Sequence, residues 1–358
     1  MGLLVGGLCV GLALAELGAR LVAPDGAAEL LFPSTDNTPE GLYINSKRHV
    51  AVSQPGFVGV TGAGVDVHIN AAGLRGPELS ERVESDRWLV LGDSFVMALQ
   101  VPEQETFMER MSASTGVGFL NAGVDGYSTW QAKSRLEQLG RPLGVQGVVV
   151  VFFLGNDLSD NEFYPQMLRE AARHPEGVPI IQPTPPLAHR LFGGWSRIYG
   201  HLSVWSRRRT IASGRDPMAQ RWHGELSLFH SSGATLLQRS LRTTERALME
   251  LRQEAHRQNL RLLVAVAPPA FAVHTERAGP TLSLVGLEPE GADLQAPDRA
   301  VLAVLSRQGI ASCDLGPDLR TAAEQEAVYL TFDGHWSTAG HEVVASALEA
   351  CLRSQQWI

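Results

Sequence analysis

Four short blocks of the sequence carry residue types that suit nucleophilic chemistry. The blocks are Gly92-Asp93-Ser94, the stretch 121–128, Gly155-Asn156-Asp157 and the stretch 333–341. A serine hydroxyl is a weak nucleophile that needs a base beside it, and imidazole suits this role because its pKa lies near neutrality. The base in turn needs an acceptor that fixes its tautomer. The blocks therefore indicate Ser94 as a nucleophile, His335 as its base and Asp333 as the partner of that base.

A tetrahedral intermediate also needs hydrogen-bond donors that are in place before the reaction. Three candidates follow predicted strands: the backbone N–H of Ser94, the backbone N–H of Gly126 and the side-chain amide of Asn156. Glycine at position 126 lets the backbone approach closely, and a neutral amide donates without adding a competing proton. Each block alone is also compatible with an ordinary turn. The four blocks in this order predict an active site.

His341 is the alternative base. It lies about one turn into the predicted final helix and is expected on the surface of that helix, whereas His335 in the preceding loop reaches a crevice more easily. Trp336 is expected to pack at the rim of the sheet. Nearby acidic residues lack a metal-ligand pattern and are interpreted as polar loop residues or caps: Asp125, Asp157 and Asp160.

A buried sheet must bring these blocks together. Short apolar runs predict strands at 87–91, 117–121, 147–153, 260–266 and 309–313, and segments with helical spacing lie between them. Strands that alternate with amphipathic helices imply a parallel sheet covered on both faces. We therefore predict a three-layer α/β/α sandwich around a five-stranded, mainly parallel, flavodoxin-like sheet, closed by a helix over 338–353.

The remaining chain is expected to add smaller units. An N-terminal apolar helix is predicted within 1–23, and 24–84 reads as a linker followed by a small β-rich extension. Residues 24–50 are expected to have little regular structure, and a hairpin is expected between Phe57 and Ile69. The principal domain spans 85–355, with a partly helical insertion at about 163–235.

The blocks resemble those of the SGNH or GDSL hydrolases, a family named for Ser, Gly, Asn and His. The resemblance covers 87–161 and 328–352, and it hardly extends to the insertion. It implies a three-layer α/β/α fold, a serine esterase mechanism and no cofactor. It makes Ser94 the nucleophile, Gly126 and Asn156 oxyanion donors, His335 the base and Asp333 its partner.

The last block departs from many members of that family. Only Gly334 separates Asp333 from His335, whereas many members have two residues between the aspartate and the histidine. A similar Asp-x-His-Trp arrangement occurs in polysaccharide O-acetyltransferases of the alginate type. The departure leaves the choice between hydrolysis and acyl transfer open.

Composition and the N-terminal sequence bear on the binding partners and the cellular location of the protein. The chain has 358 residues and a net charge of −8, which argues against nucleic acid as a partner. The apolar run Gly2–Ala15 predicts a signal peptide cleaved after Ala15 or, if extended to Ala23, a membrane anchor. Export with or without anchoring is expected. Cys9, Cys313 and Cys351 show no metal spacing; buried free thiols are favoured, and pairing of the last two stays open.

The sequence thus predicts an exported or membrane-anchored serine hydrolase that cleaves carboxylic esters through an acyl-serine intermediate. Small acyl groups, such as O-acetyl groups on carbohydrate, are the expected substrates. The first alternative is a polysaccharide O-acetyltransferase that uses the same site. The second is a binding or scaffold protein that keeps the fold without turnover.

Overall fold

A five-stranded parallel sheet carries the first three reactive blocks at its strand ends, and the fourth block lies in the loop before the last helix. The chain is represented by a computed structural model. The residues that it describes are 2–22, 38–81, 86–173, 187–192, 196–215, 218–331 and 333–358.

Nine strands and fourteen α-helices lie within the described residues. The strands are β1 (Tyr43–Ser46), β2 (Val50–Ser53), β3 (Val58–Val60), β4 (Asp66–His68), β5 (Arg87–Leu91), β6 (Gly118–Asn121), β7 (Gly147–Phe153), β8 (Arg261–Ala267) and β9 (Ala311–Asp314). The helices are α1 (Gly2–Leu21), α2 (Ser94–Met97), α3 (Phe107–Thr115), α4 (Thr129–Leu143), α5 (Asp157–Arg173), α6 (Leu187–Phe192), α7 (Arg197–Ala212), α8 (Ala219–Ser227), α9 (Ala234–Arg257), α10 (Ala270–Val273), α11 (Ala278–Leu284), α12 (Ala296–Arg307), α13 (Gly316–Ala323) and α14 (Thr338–Ser354).

The main sheet has the order β6-β5-β7-β8-β9, and every neighbouring pair is parallel. The predicted flavodoxin-like α/β sheet is confirmed. Strand β5 lies between β6 and β7, so the winding direction reverses beside it. Ligands of open α/β sheets bind at this switch point, outside the carboxyl ends of the strands. The first three blocks follow β5, β6 and β7.

The predicted strand bounds are correct for β5 and β7, and differ by one or two residues for the others. The difference arises at turns between helix and strand. Asn259 and Gly309 have φ values of 57° and 62°, a left-handed conformation that ends the preceding helical segment. Strands β8 and β9 therefore begin at Arg261 and Ala311.

Each face of the sheet is covered by its own group of helices. Alternate side chains of β5 point to opposite faces, so Leu89 and Leu91 pack with α4, α9 and α12, whereas Trp88 and Val90 pack with α3 and α14. These four side chains are fully buried. Burial on both faces explains why the strands read as continuous apolar runs.

The N-terminal extension contains two antiparallel hairpins, β1–β2 and β3–β4. The second is the hairpin predicted between Phe57 and Ile69. The first hairpin lies partly within residues 24–50, which were expected to have little regular structure, because a turn at 47–49 connects two short strands there. The extension then joins the sheet domain, since the backbone N–H of Arg75 donates to the carbonyl of Asn121 at 3.0 Å.

Helices also form the described parts of the segment between β7 and β8. Helix α1 lies against α7, where the Glu16 carboxylate accepts from the Ser196 hydroxyl at 2.9 Å and from the Arg197 backbone N–H at 2.6 Å. Among the residues with a described position, no helix combines the length and apolar character needed to cross a bilayer.

Cys313 on β9 and Cys351 on α14 form a disulfide. The favoured expectation of two free thiols is wrong, because strand and helix approach to a Cα–Cα distance of 5.9 Å, which suits a disulfide. The bond joins residues 38 positions apart. Closing a loop of this length stabilises the folded state by about 4 kcal/mol through the unfolded chain. Cys9 is a free, exposed cysteine.

Candidate active site

Ser94 stands at a tight turn directly after β5. A Cβ atom on Gly92 would lie 2.6 Å from the Val96 side chain and 3.0 Å from the carbonyl oxygen of Val151, so only glycine allows this close approach. The Asp93 carboxylate accepts from the Phe95 backbone N–H at 3.0 Å and caps the short helix α2. Ser94 is the first residue of that helix.

Asp333 and His335 lie in a loop that enters α14. The Leu330 N–H donates to the His335 carbonyl at 2.8 Å, and the Gly334 N–H donates to the Leu330 carbonyl at 3.2 Å. Gly334 has a φ of 76°, a conformation that glycine adopts without strain. With a single glycine between them, the two side chains still reach each other.

The loop and the turn place three predicted residues in one hydrogen-bonded chain. The Nε2 atom of His335 lies 2.7 Å from the Ser94 Oγ, although the two residues are 241 positions apart. The Nδ1 atom of the same ring is hydrogen-bonded to Oδ1 of Asp333. In the tautomer that donates from Nδ1 to the carboxylate, Nε2 is free to accept the serine proton. This arrangement can activate the Ser94 hydroxyl.

Aromatic packing holds the two ends of this chain together. The rings of Phe95 and Trp336 meet edge to face with centroids 4.9 Å apart, and Phe95 also lies 4.8 Å from the His335 ring. Phe95 directly follows Ser94 in the chain, and Trp336 directly follows His335. Trp336 is only 1% exposed, and it also contacts Phe107. The expectation that Trp336 packs at the rim of the sheet is confirmed.

The environment of His335 favours its charged form. Burial alone lowers the pKa of the imidazole, but the charge and hydrogen bond of Asp333 and the more distant charges of Asp93 and Asp125 outweigh burial. The net result is a pKa above the ordinary value. A base whose charged form is favoured in this way is stabilised once it gains the serine proton.

His341 lies in a different environment. It is 2% exposed rather than on the surface of the final helix, because α14 packs that side against α3. Its Nδ1 accepts from the Phe107 N–H at 3.3 Å. Burial, followed by the nearby charges of Arg75 and Arg110, lowers its pKa to about 3. A histidine that resists protonation in this way does not suit the role of base.

The candidate oxyanion donors follow β5, β6 and β7, which are neighbours in the sheet. Gly126 has a φ of 71° and is exposed. Asn156 precedes α5, and its side-chain amide opposes the rise in the pKa of Asp93. Within the part of the chain that the structure describes, the backbone N–H groups of Ser94 and Gly126 donate to no other protein group.

Besides Asp333, four buried or half-buried carboxyl groups lie near this edge of the sheet: Asp93, Asp125, Asp157 and Asp160. Burial raises the pKa of Asp93 to about 6, although the Phe95 N–H and His335 oppose the shift. Burial and the neighbouring Asp93 raise the pKa of Asp157 well above its ordinary value, and burial raises that of Asp160 to about 7 despite Arg221. In the described regions no three acidic, histidine or cysteine side chains form a metal-binding group.

Asp157 and Asp125 were interpreted as polar loop residues or caps, and the structure shows which groups they contact. Asp157 accepts from the Phe153 N–H at 2.9 Å, so it holds the end of β7. The Asp125 N–H donates to the Tyr43 hydroxyl at 3.3 Å, so β1 of the extension lies beside the second block. Burial raises the pKa of Asp125 as well.

The site also contains a residue that the sequence motifs did not indicate. Gln100 lies six residues after Ser94, and its Nε2 is 3.2 Å from Nδ1 of His335. The local sequence Ala98-Leu99-Gln100 does not indicate a role for Gln100 in the site, because its partner His335 is 235 residues away in the chain.

Comparison with known proteins gives one sequence match. The family model described as "SGNH hydrolase-like domain, acetyltransferase AlgX" matches residues 228–358. That segment contains the Asp333–His335 block and α14. The comparison with curated proteins found no match.

Several solved structures are similar at low level. A lipolytic protein of the G-D-S-L family from Veillonella parvula is 14% identical, with a TM-score of 0.39 over 74% of this chain and 97% of that one. A catalytic mutant of an acetylxylan esterase from Geobacillus stearothermophilus is 11% identical, with a TM-score of 0.40 over 75% of this chain and 94% of that one. Values this low carry no conclusion about the reaction.

The pKa of His335 is directly measurable. In an NMR titration we expect its imidazole to titrate with a midpoint above 6.5, because Asp333 stabilises the charged form. Asp333→Asn should lower that midpoint. His341 should stay neutral throughout the same titration and serves as the internal control. Because the folded-state pKa is raised, the stabilisation from protonated His335 is present below pH 6.5 and is lost as the pH rises through the midpoint. An unshifted His335 midpoint in both proteins would contradict the assignment.

Proposed function

We propose that this chain is a member of the SGNH/GDSL hydrolase family and a serine esterase that cleaves small acyl groups from hydroxyl-bearing substrates. The observation that carries the proposal is the hydrogen-bonded chain from Ser94 through His335 to Asp333. The match of residues 228–358 to the family model of an SGNH hydrolase-like domain supports it.

In this mechanism the Ser94 Oγ attacks the ester carbonyl while Nε2 of His335 removes its proton. The new imidazolium is stabilised by Asp333, whose contact to Nδ1 also fixes the tautomer. Collapse of the tetrahedral intermediate releases the alcohol, which takes the proton from Nε2, and leaves an acyl group on Ser94. Water then attacks the acyl-enzyme with His335 as base, and the released acid completes the cycle.

In this mechanism the negative oxygen of the tetrahedral intermediate accepts hydrogen bonds from three donors. The unshared backbone N–H groups of Ser94 and Gly126 supply two, and the Asn156 amide supplies the third. An amide carries two N–H bonds, so the Asn156 side chain can donate one of them to the oxyanion. Donors of this type contribute a few kcal/mol each because they need no reorganisation during the reaction.

Two substitutions test these roles with an activated acetyl ester. Ser94→Ala should lower kcat roughly 10⁴-fold or more and abolish labelling by a fluorophosphonate. Asn156→Ala should keep the labelling site but lower kcat by roughly a hundredfold. Ser346→Ala, a change at an exposed serine of α14, is the matched control. A folded wild-type protein without a Ser94 adduct would favour a binding or scaffold role.

The second candidate is an O-acetyltransferase that moves the acyl group to a sugar hydroxyl. The specific observation is the description of the matched family as acetyltransferase AlgX. Chemically the two reactions share the acyl-enzyme, and they differ only in which hydroxyl group attacks it. O-acetyl groups on carbohydrate are the substrate class common to both.

Partition of the acyl-enzyme separates the two candidates. With an acetyl ester as donor and an increasing concentration of oligosaccharide, an esterase should release acetate at a constant yield. A transferase should form acetylated sugar at the expense of acetate, with total turnover unchanged or raised. Mass spectrometry of the sugar and titration of acetate measure both products, and Ser94→Ala supplies the background for each. Sugar acetylation that exceeds acetate release would reverse the order of the two candidates.

We also propose that the catalytic part of the chain works outside the cytoplasm. The disulfide supports this, because such bonds persist in oxidising compartments and are rare in the cytosol. Helix α1 supports contact with a membrane surface, since its apolar side chains Leu14 and Leu17 are about 60% exposed. The adjacent α7 exposes Trp205 and contains four arginines and no acidic residue, a combination that suits an anionic lipid surface.

Alkylation of denatured protein without reductant tests this placement. Of the three cysteines, native protein that retains α1 should take one alkyl group, on Cys9. Protein cleaved after Ala15 should take none, and intact mass spectrometry distinguishes these two forms of exported protein. Cys9→Ser is the control for the single label. Three labels on protein from its native cells would show reduced Cys313 and Cys351 and would contradict export.

A further inference from the structure

The imidazole of His335 contacts two polar side chains at the same nitrogen. Nδ1 is bound by Asp333 and also lies 3.2 Å from the amide of Gln100. Gln100 is half-buried, and in the described structure its Oε1 is a buried oxygen without a hydrogen-bond partner. The second contact is not needed to fix the tautomer, because Asp333 alone does that.

Whether Nδ1 of His335 carries a hydrogen determines which atom of the Gln100 amide can face it. If Nε2 of His335 accepts from Ser94, then Nδ1 carries the ring hydrogen, so an amide N–H of Gln100 would place two donors face to face. Rotation of the amide by half a turn brings Oε1 to Nδ1 instead, and such orientations are assigned from the hydrogen-bond network. The rotated amide gives the buried Oε1 a donor.

The loop that presents Gln100 is held from outside the sheet. Arg75, which is 3% exposed, donates from its guanidinium to the carbonyl of Met97 at 2.7 Å and to the carbonyl of Val101 at 2.8 Å. It also donates to the carbonyl of Ala98. These carbonyls bracket Gln100 in sequence, so an arginine of the N-terminal extension fixes the distance of Gln100 from the ring.

We propose that Gln100 is a positioning residue whose side-chain carbonyl accepts a second hydrogen bond from Nδ1–H of His335. The bond orients the ring toward Ser94 together with Asp333, and it places a second partial negative charge beside the imidazolium that forms during acylation. The inference rests on the proposed esterase or transferase reaction, and it assigns Arg75 the task of holding the Gln100 loop.

Two substitutions at Gln100 separate positioning from simple packing. Gln100→Leu keeps the approximate size but removes the acceptor, so kcat should fall about tenfold with little change in KM. Gln100→Glu keeps an acceptor and adds a negative charge, so kcat should be largely retained while the acid limb of kcat/KM moves to higher pH. Gln104→Leu, at an exposed glutamine four residues away, is the matched control and should leave both parameters unchanged.

An NMR readout keeps this inference independent of the proposed reaction. The Nδ1–H proton of His335 should give a downfield signal whose position changes in Gln100→Leu, and its titration midpoint should rise in Gln100→Glu. These signals are expected even if no ester is a substrate, so failure of the reaction and failure of the contact are distinguishable. Should Gln100→Leu not fold, the midpoint of Gln100→Glu decides alone. A wild-type kcat in Gln100→Leu, or an unmoved midpoint in Gln100→Glu, would overturn the proposal.

Discussion

The contact between Phe95 and Trp336 is the interaction on which the site depends most directly. Each ring belongs to the residue next to a reactive one, so packing of the pair at 4.9 Å brings the Ser94 turn and the His335 loop together. A buried aromatic pair contributes both apolar burial and roughly 0.5–1.5 kcal/mol from its geometry. Polar groups alone would not close a separation of 241 residues, because an exposed hydrogen bond exchanges with water at little net gain.

The parallel sheet is the second feature that holds the site together, because it brings the turns after three strands to one edge. Strands β5, β6 and β7 are neighbours in the order β6-β5-β7, and parallel strands end at the same edge. The turns after them therefore meet without any attraction between Ser94, Gly126 and Asn156. The cost of the arrangement appears in the buried carboxyl groups, since Asp93 and Asp157 leave water and their pKa values rise. The N–H groups at the turns offset part of that desolvation.

Local sequence patterns predicted the sheet and the reactive blocks, because buried strands and turns depend on residues that are close together in the sequence. The run Val148–Phe152, for example, is apolar on both faces and ends at Gly155-Asn156-Asp157. The disulfide, the burial of His341 and the first hairpin were not predicted. Each depends on a partner far along the chain: Cys351 for Cys313, Phe107 for His341 and Tyr127, whose hydroxyl donates to the Ala51 carbonyl at 2.7 Å, for the hairpin.

The same reasoning explains why the extension belongs to the chemistry although its sequence has no motif. Arg75 is a single basic residue between Leu74 and Gly76, yet its guanidinium is buried against the loop that follows Ser94. A buried guanidinium is costly unless its donors find acceptors, and here its two terminal NH2 groups donate to three backbone carbonyls. Backbone carbonyls place no demand on side-chain identity, so the loop can vary in sequence while its path stays fixed. The fold therefore separates two tasks: motifs supply the reacting groups, and motif-free contacts hold those groups at reacting distance.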